Sequence, residues 1–187
     1  MARLPPLDPS QADPRVREAL ERLPPLAIFG TVANAQGSFV NWLRFGGDCL
    51  DGRLFDPVLR ELAILRVATL TPGAGYEWAQ HVPILLAVGG TQAQVGALRA
   101  GDTDADALGP DGRLVARFTT QVVVDAAPDE ETFAAMRERF TVEEITQLLL
   151  VIGNYMMVGR IMATAQLEVD AVLGDDVLAR VSATRRE

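Results

Sequence analysis

Apolar residues recur along this chain three and four residues apart, which is the spacing of amphipathic and buried α-helices. No stretch shows the convincing alternation of apolar and polar residues that is typical of a half-buried strand. Capping residues, capping boxes or a proline at the first helical position precede several of the periodic segments. The pattern therefore predicts an all-α bundle of about eight helices. They are predicted over residues 15–23, from a cap at 38, then over 58–70, 76–88, 91–100, 109–126, 129–140 and 142–169.

Three of these segments have a distinctive pattern. Residues 58–70 are apolar nearly all round, as expected for a helix in the centre of a bundle. Pro83 falls inside the next segment, so either that helix kinks there or His81 lies near a break. Residues 121–124 are rich in valine and are the one part of the sixth helix that a strand could also explain.

The length of 187 residues suits one domain with a single well-formed core. We predict an N-terminal helical extension over residues 1–24 and a helical domain over 25–170. A short, partly helical and mobile tail is predicted over 171–187.

Composition excludes several classes of function. No apolar run reaches about 18 residues and the N-terminus lacks a signal-peptide core, so we expect a cytoplasmic protein without a membrane span. The formal net charge of −8 argues against a nucleic-acid partner. All 17 basic residues are arginine, which excludes lysine Schiff-base chemistry and lysine-anchored pyridoxal phosphate.

Cofactor and metal motifs are also missing. The chain has one cysteine, Cys49, and one histidine, so it forms neither an intrachain disulfide nor a multi-histidine metal site. Carboxylates alone could still bind Mg²⁺ or Ca²⁺, but the acidic residues at 101–106 lack the glycine and glutamate of a calcium loop. No glycine-rich phosphate-binding loop is present, and we expect no cofactor.

The candidate chemistry lies in the third and fourth predicted helices. Glu77 and His81 are four residues apart and share one face of a helix. Glu61 and Arg66 stand in an apolar run, where a charge is costly unless it is paired or used. Together these residues would make a proton-transfer site. On spacing alone, the commoner arrangement is that Glu77 and His81 form an ordinary pair on a helix surface. Glu61 would then face solvent or a partner subunit.

Residues 59–68 and 76–82 resemble the core of the carboxymuconolactone decarboxylase family, which also contains the alkylhydroperoxidase D-like proteins. Residues 28–33 and 152–158 resemble flanking parts of full-length members, so the resemblance covers about 25–170. It implies the helical alkylhydroperoxidase D-like fold and a homo-oligomer, either a trimer or a hexamer.

The match favours one branch of this family over the other. In the peroxidase branch a glutamate precedes a Cys-x-x-Cys pair, and a histidine follows four residues after the second cysteine. Glu61 and His81 match the first and last positions, whereas Ala74 and Glu77 stand at the cysteine positions. Thiol-based reduction of alkyl hydroperoxides needs both thiols and is not expected here. The decarboxylase branch tolerates glutamate at the position of Glu77.

The resemblance implies a cofactor-independent lyase that removes CO₂ from a small carboxylated lactone or a similar enolisable acid. Arg66 would stabilise the enolate and His81 would supply the proton. Glu61 would orient His81 or relay its proton, and Glu77 would raise the pKa of the imidazole as a nearby negative charge.

The roles of two further residues stay open, and so do two alternative functions. Tyr155 and Asn154 need partners for their polar ends, and they bond either the substrate or a neighbouring helix. An isomerase or dehydratase that moves protons on another enolisable compound is an alternative function. A non-catalytic oligomeric binding protein is the third, although the presence of Glu61, Glu77 and His81 together argues against it.

Overall fold

A computed structural model of the chain describes residues 2–168. Within this range it contains nine α-helices, two short 3₁₀ helices and no strand. The predicted all-α fold is therefore confirmed. The helices are α1 Pro14–Arg22, α2 Ala27–Val32, α3 Gln36–Cys49, α4 Pro57–Leu70, α5 Gly75–Ala87, α6 Gln92–Ala100, α7 Gly109–Asp125, α8 Glu130–Arg139 and α9 Val142–Ala165, with 3₁₀ helices at Pro9–Gln11 and Asp106–Leu108.

The start signals in the sequence act as caps in the structure. The Asp56 side chain accepts a hydrogen bond from the Leu59 amide at 2.9 Å, and a proline follows it at the first position of α4. Thr91 and Thr141 form the predicted capping boxes of α6 and α9. These bonds satisfy amide groups that the first helical turn leaves without a partner.

The structure adds one helix, corrects two predicted boundaries and confirms the sixth predicted helix over its one ambiguous part. The short helix α2 was not predicted, because six residues are too few to show a helical period and no side chain caps it. The second predicted helix begins at residue 36 rather than after a Ser38 cap. Residues 121–124 are helical and not a strand. The last helix ends at residue 165, where Gln166 adopts a left-handed conformation with φ of 51°.

Helix α5 is continuous through Pro83 from Gly75 to Ala87. The proline removes one hydrogen-bond donor from the helix interior without ending the helix. The predicted alternative, in which His81 lies near a break, is therefore wrong. His81 lies in the second turn, on the same helix as Glu77.

Helix α4 occupies the centre of the fold, as its all-round apolar sequence predicts. It packs against α5, α6, α7 and α9, and every residue from 60 to 68 is buried. The charged side chains of Arg60, Glu61 and Arg66 are therefore held inside the protein, where each needs a partner.

The N-terminal segment packs onto the rest of the described chain. Val16 and Leu23 bury their side chains in one apolar cluster with Phe29 of α2 and Phe39 of α3. The backbone amide of Leu7 also donates to the Gly30 carbonyl at 2.9 Å. The boundary between residues 24 and 25 stays a prediction, and the tail predicted over 171–187 lies outside the described residues.

Helix α9 is long and apolar enough to cross a membrane by length and composition alone. Half of its most apolar window is buried inside the protein, and a core helix of a globular protein passes the same test. Its exposed apolar residues lie on one side of the helix. They are Val142, Leu149, Leu150 and Met157.

Candidate functional site

A fully buried carboxylate, Glu61, anchors the candidate site. Its side chain is 0% exposed. One oxygen accepts a hydrogen bond from Nε of Arg60 at 2.9 Å and lies 2.9 Å from its Nη2 in an ion pair, and Arg60 Nη1 donates to the Leu50 carbonyl at 2.8 Å. A buried ion pair is tolerated when its charges are matched and hydrogen-bonded, which is the case here. The alternative in which Glu61 faces solvent is wrong.

His81 is bound to the other oxygen of the same carboxylate. Its Nδ1 lies 2.7 Å from Glu61 Oε2, which brings α5 against α4. A carboxylate paired with an arginine acts only as an acceptor, so Nδ1 is the donor and Nε2 is the ring nitrogen left to exchange a proton with a bound molecule. The ring of Tyr155 on α9 meets the imidazole edge to face, with centroids 4.8 Å apart. The imidazole is therefore fixed both in orientation and in tautomer.

Glu77 differs from Glu61 because it has no counter-charge. It lies in the first turn of α5, is 3% exposed, and neither carboxyl oxygen has a hydrogen-bond partner among the described residues. Burial raises the pKa of Glu77 from 4.5 to about 8. Its carboxyl group is then mostly protonated at neutral pH. This raised pKa does not support the predicted role of Glu77 as a negative charge beside His81 at neutral pH, and that role stays a prediction.

Space for this carboxyl group depends on a glycine of α9. A Cβ atom at Gly159 would lie 2.9 Å from Glu77 Oε2 and 3.2 Å from Cγ2 of Thr71. Any larger residue would force the carboxyl group to move. A neutral carboxyl group in this position can donate one hydrogen bond, a role that an ionised carboxylate cannot fill.

Glu77 and His81 share a cavity of about 110 Å³ with Tyr155 and Asn154. The predicted site residues on α5 and α9 are thus brought together. Glu61 does not line the cavity but is bonded to His81, which does. Trp42 of α3 also lines it and was not predicted as a site residue. The other lining residues are Leu26, Ile28, Phe29, Leu43, Gly46, Leu50, Tyr76, Gln80, Ile84, Val158 and Met162.

The two α9 residues contribute polar groups to this largely apolar cavity. Burial, with the charges of Glu61 and Glu77, raises the pKa of Tyr155 well above its ordinary value, so its hydroxyl group keeps its proton. Asn154 is buried, and its Oδ1 has no hydrogen-bond partner. Both residues therefore lie where a bound molecule would meet them, and their substrate-binding role stays a prediction.

Arg66 is not brought to the cavity. It follows Glu61 by five residues, which turns its side chain about 140° around the helix axis. Its Nε donates to Thr120 Oγ1 on α7 at 2.8 Å, and it does not line the cavity. Its position does not support the predicted contact with a substrate carbonyl. The arginine that pairs with Glu61 is Arg60, which sequence reasoning missed although it precedes Glu61 in the same apolar run.

Comparison with protein families gives a match over part of the chain. Residues 39–110 match the model of the carboxymuconolactone decarboxylase family. This segment is carboxymuconolactone decarboxylase-like. The match includes Trp42, Glu61, Glu77 and His81 but stops before α9, so the α9 wall of the cavity lies outside it. A comparison with curated proteins gave no match.

Thiol chemistry of the kind used in the peroxidase branch of the carboxymuconolactone decarboxylase family has no support at this site. Cys49 is buried, and burial together with Asp48 raises the pKa of its thiol to about 12. A thiol with such a pKa is almost never a thiolate at neutral pH. Among residues 2–168 no group of three or more histidine, cysteine, aspartate or glutamate side chains is placed to hold a metal ion.

Proposed function

We propose that this protein is a cofactor-independent acid–base enzyme that acts on a small enolisable compound. One observation carries the proposal. His81, which is fixed by the buried Glu61, shares one cavity with Glu77, a buried carboxyl group without a hydrogen-bond partner whose pKa is raised to about 8 by burial. A base and a neutral acid in one apolar cavity are the two groups that enolisation needs.

The family match favours decarboxylation as the reaction. The bond between the ring carbon and the substrate carboxylate breaks, CO₂ leaves, and the electron pair moves into the adjacent carbonyl to give an enolate. Glu77 stabilises the enolate oxygen by donating a hydrogen bond. A protonated His81 then delivers its proton to the carbon and returns to the neutral form.

Isomerisation of an unsaturated carbonyl compound is the second candidate function. His81 Nε2 removes a proton from the carbon next to the carbonyl, and the electron pair moves into the enolate. His81 exchanges the abstracted proton with solvent and then delivers a proton to a different carbon, which shifts the double bond. The lack of any arginine among the lining residues favours this second reaction, because its substrate needs no carboxylate.

Both reactions are tested by incubating the purified protein in D₂O with unsaturated lactones. CO₂ release from a carboxylated lactone supports decarboxylation. Double-bond migration with deuterium incorporation, followed by NMR, supports isomerisation. His81→Gln should abolish the activity, whereas Glu138→Gln, an exposed carboxylate on α8, should retain it. If no lactone shows exchange or CO₂ release above the rate of the His81→Gln variant, the acid–base proposal is wrong.

We also propose that the chain forms a homo-oligomer. The exposed apolar residues on one side of α9 support this proposal, because such surfaces are commonly covered by a partner. Light scattering after size exclusion measures the assembly. A monomer at micromolar concentration would contradict it.

A further inference from the structure

The hydroxyl group of Tyr155 is a hydrogen-bond donor in the wall of the cavity. The ring packs in an apolar cluster with Ile64, Val67 and Ile152, which holds it in place, and the residue is 6% exposed. Among residues 2–168, none forms a hydrogen bond with this hydroxyl group. Polar groups of buried residues are nearly always hydrogen-bonded. The partner that remains for this one is a molecule in the cavity.

Tyr155 lies beside both acid–base residues of the site. Its ring meets His81 edge to face, with centroids 4.8 Å apart. Gly159 follows one turn later on the same face of α9, and a Cβ there would lie 2.9 Å from Glu77 Oε2. Glu77 and His81 are likewise one turn apart on α5. One turn of α9 therefore faces one turn of α5, and Tyr155 is close to the imidazole and to the carboxyl group.

The protonation of these two side chains suits them to bind a developing negative charge. Burial raises the pKa of Tyr155 well above its ordinary value, and the charge of Glu61 adds to this effect, so the hydroxyl group stays a donor. Burial also raises the pKa of Glu77 to about 8. A tyrosine hydroxyl group together with a carboxyl group that burial keeps protonated is a known pair of donors to an enolate oxygen.

We propose that Tyr155 is a catalytic residue whose hydroxyl group donates a hydrogen bond to the enolate oxygen of the substrate. Glu77 donates to the same oxygen, while His81 transfers the proton at carbon. The inference rests on the proposed function, because that function supplies the enolate. It goes further by placing a catalytic group on α9, outside the segment 39–110 that matches the family model.

Binding of an oxyanion tests this role without a substrate. Tyr155→Phe removes the hydroxyl group and keeps the ring against His81. The first probe is para-nitrophenol, whose phenolate carries an enolate-like oxygen on a single ring, and the matched probe is para-nitrotoluene, which lacks that oxygen. In calorimetric titrations at pH 7, the variant should bind para-nitrophenol roughly ten- to hundredfold more weakly, as expected for a lost hydrogen bond to a charged group. Its affinity for para-nitrotoluene should stay nearly unchanged.

Stability distinguishes this role from a structural one. Removing a hydroxyl group that is bonded within the folded protein lowers stability, whereas removing one without a protein partner does not. We therefore expect Tyr155→Phe to unfold at the same urea concentration as the wild type or at a higher one. Thr120→Val is the control, because it loses a hydroxyl group that accepts from Arg66 at 2.8 Å, and it should unfold at a lower concentration. A comparable loss in Tyr155→Phe would overturn the inference.

Turnover is measured with the lactones in D₂O that test the proposed function. A donor to a developing oxyanion acts mainly in the transition state, so Tyr155→Phe should lower kcat roughly 10²–10³-fold and change KM much less. A rise in KM with an unchanged kcat would reduce Tyr155 to a binding residue and overturn its catalytic role.

The outcomes separate this inference from the proposed function. Lactone turnover that is equal in the wild type and Tyr155→Phe overturns the inference and leaves the function intact. Equal binding of para-nitrophenol by the two proteins also overturns the inference. Binding of para-nitrophenol that depends on Tyr155, without any exchange or CO₂ release from lactones, supports the hydrogen bond to an oxyanion and contradicts the acid–base function.

Discussion

Replacing Glu77 with glutamine tests the electrostatics of the site without requiring a substrate. Burial raises the pKa of Glu77 from 4.5 to about 8. An acid with a raised pKa keeps its proton in the folded state at pH values where the unfolded chain has lost it. The free energy of unfolding therefore falls as pH rises from about 4.5 to about 8, and this effect levels off above the folded pKa.

The size of this change in the free energy of unfolding follows from the pKa shift of Glu77. One pKa unit corresponds to about 1.4 kcal/mol, so the whole effect is about 5 kcal/mol, of which roughly 3–4 kcal/mol falls between pH 5 and pH 8. Glutamine has the same shape but does not titrate. The difference in unfolding free energy between the wild type and Glu77→Gln should therefore decrease by roughly 3–4 kcal/mol between pH 5 and pH 8.

Urea denaturation followed by circular dichroism measures this difference at fixed protein concentration, at several pH values between about 5 and 9. All other titrating groups are common to both proteins and cancel in the subtraction. Glu138→Gln is the matched control, because its carboxylate is exposed, and its difference from the wild type should stay flat. If the wild type and Glu77→Gln give parallel pH profiles, Glu77 is not a buried neutral acid and the proposed mechanism loses its hydrogen-bond donor.

Three further substitutions test the same arrangement. His81→Gln should lower turnover roughly 10²–10⁴-fold and change ligand affinity much less, and wild-type turnover in this folded variant would refute the role of the imidazole. Glu61→Gln leaves a buried arginine without its carboxylate, so urea denaturation should show a loss of about 3–5 kcal/mol together with reduced turnover. Gly159→Ala places a Cβ 2.9 Å from the Glu77 carboxyl group and should reduce turnover, whereas Gly153→Ala, which meets no neighbouring atom, should not. Equal turnover of the two alanine variants would show that the carboxyl position is unimportant.

Features that depend on residues close together in the chain could be predicted from the amino-acid sequence. The Asp56-Pro57 pair predicts the start of α4, and the capping boxes at Thr91 and Thr141 predict the starts of α6 and α9. The apolar run on α4 predicts a central helix, and four-residue spacing places Glu77 with His81. Hydrogen bonds within one turn and the periodicity of one helix decide these features, so local patterns reveal them.

The pairing of the buried charges and the raised pKa of Glu77 depend instead on how the helices pack. Glu61 and His81 are 20 residues apart, and their bond exists because α5 packs on α4. The arginine beside Glu61 is Arg60 rather than Arg66, since the packing of α7 gives Arg66 a different partner. Glu77 is protonated because the surrounding helices remove water without supplying a counter-charge. Desolvation and pairing depend on residues distant in sequence, and no local pattern encodes them.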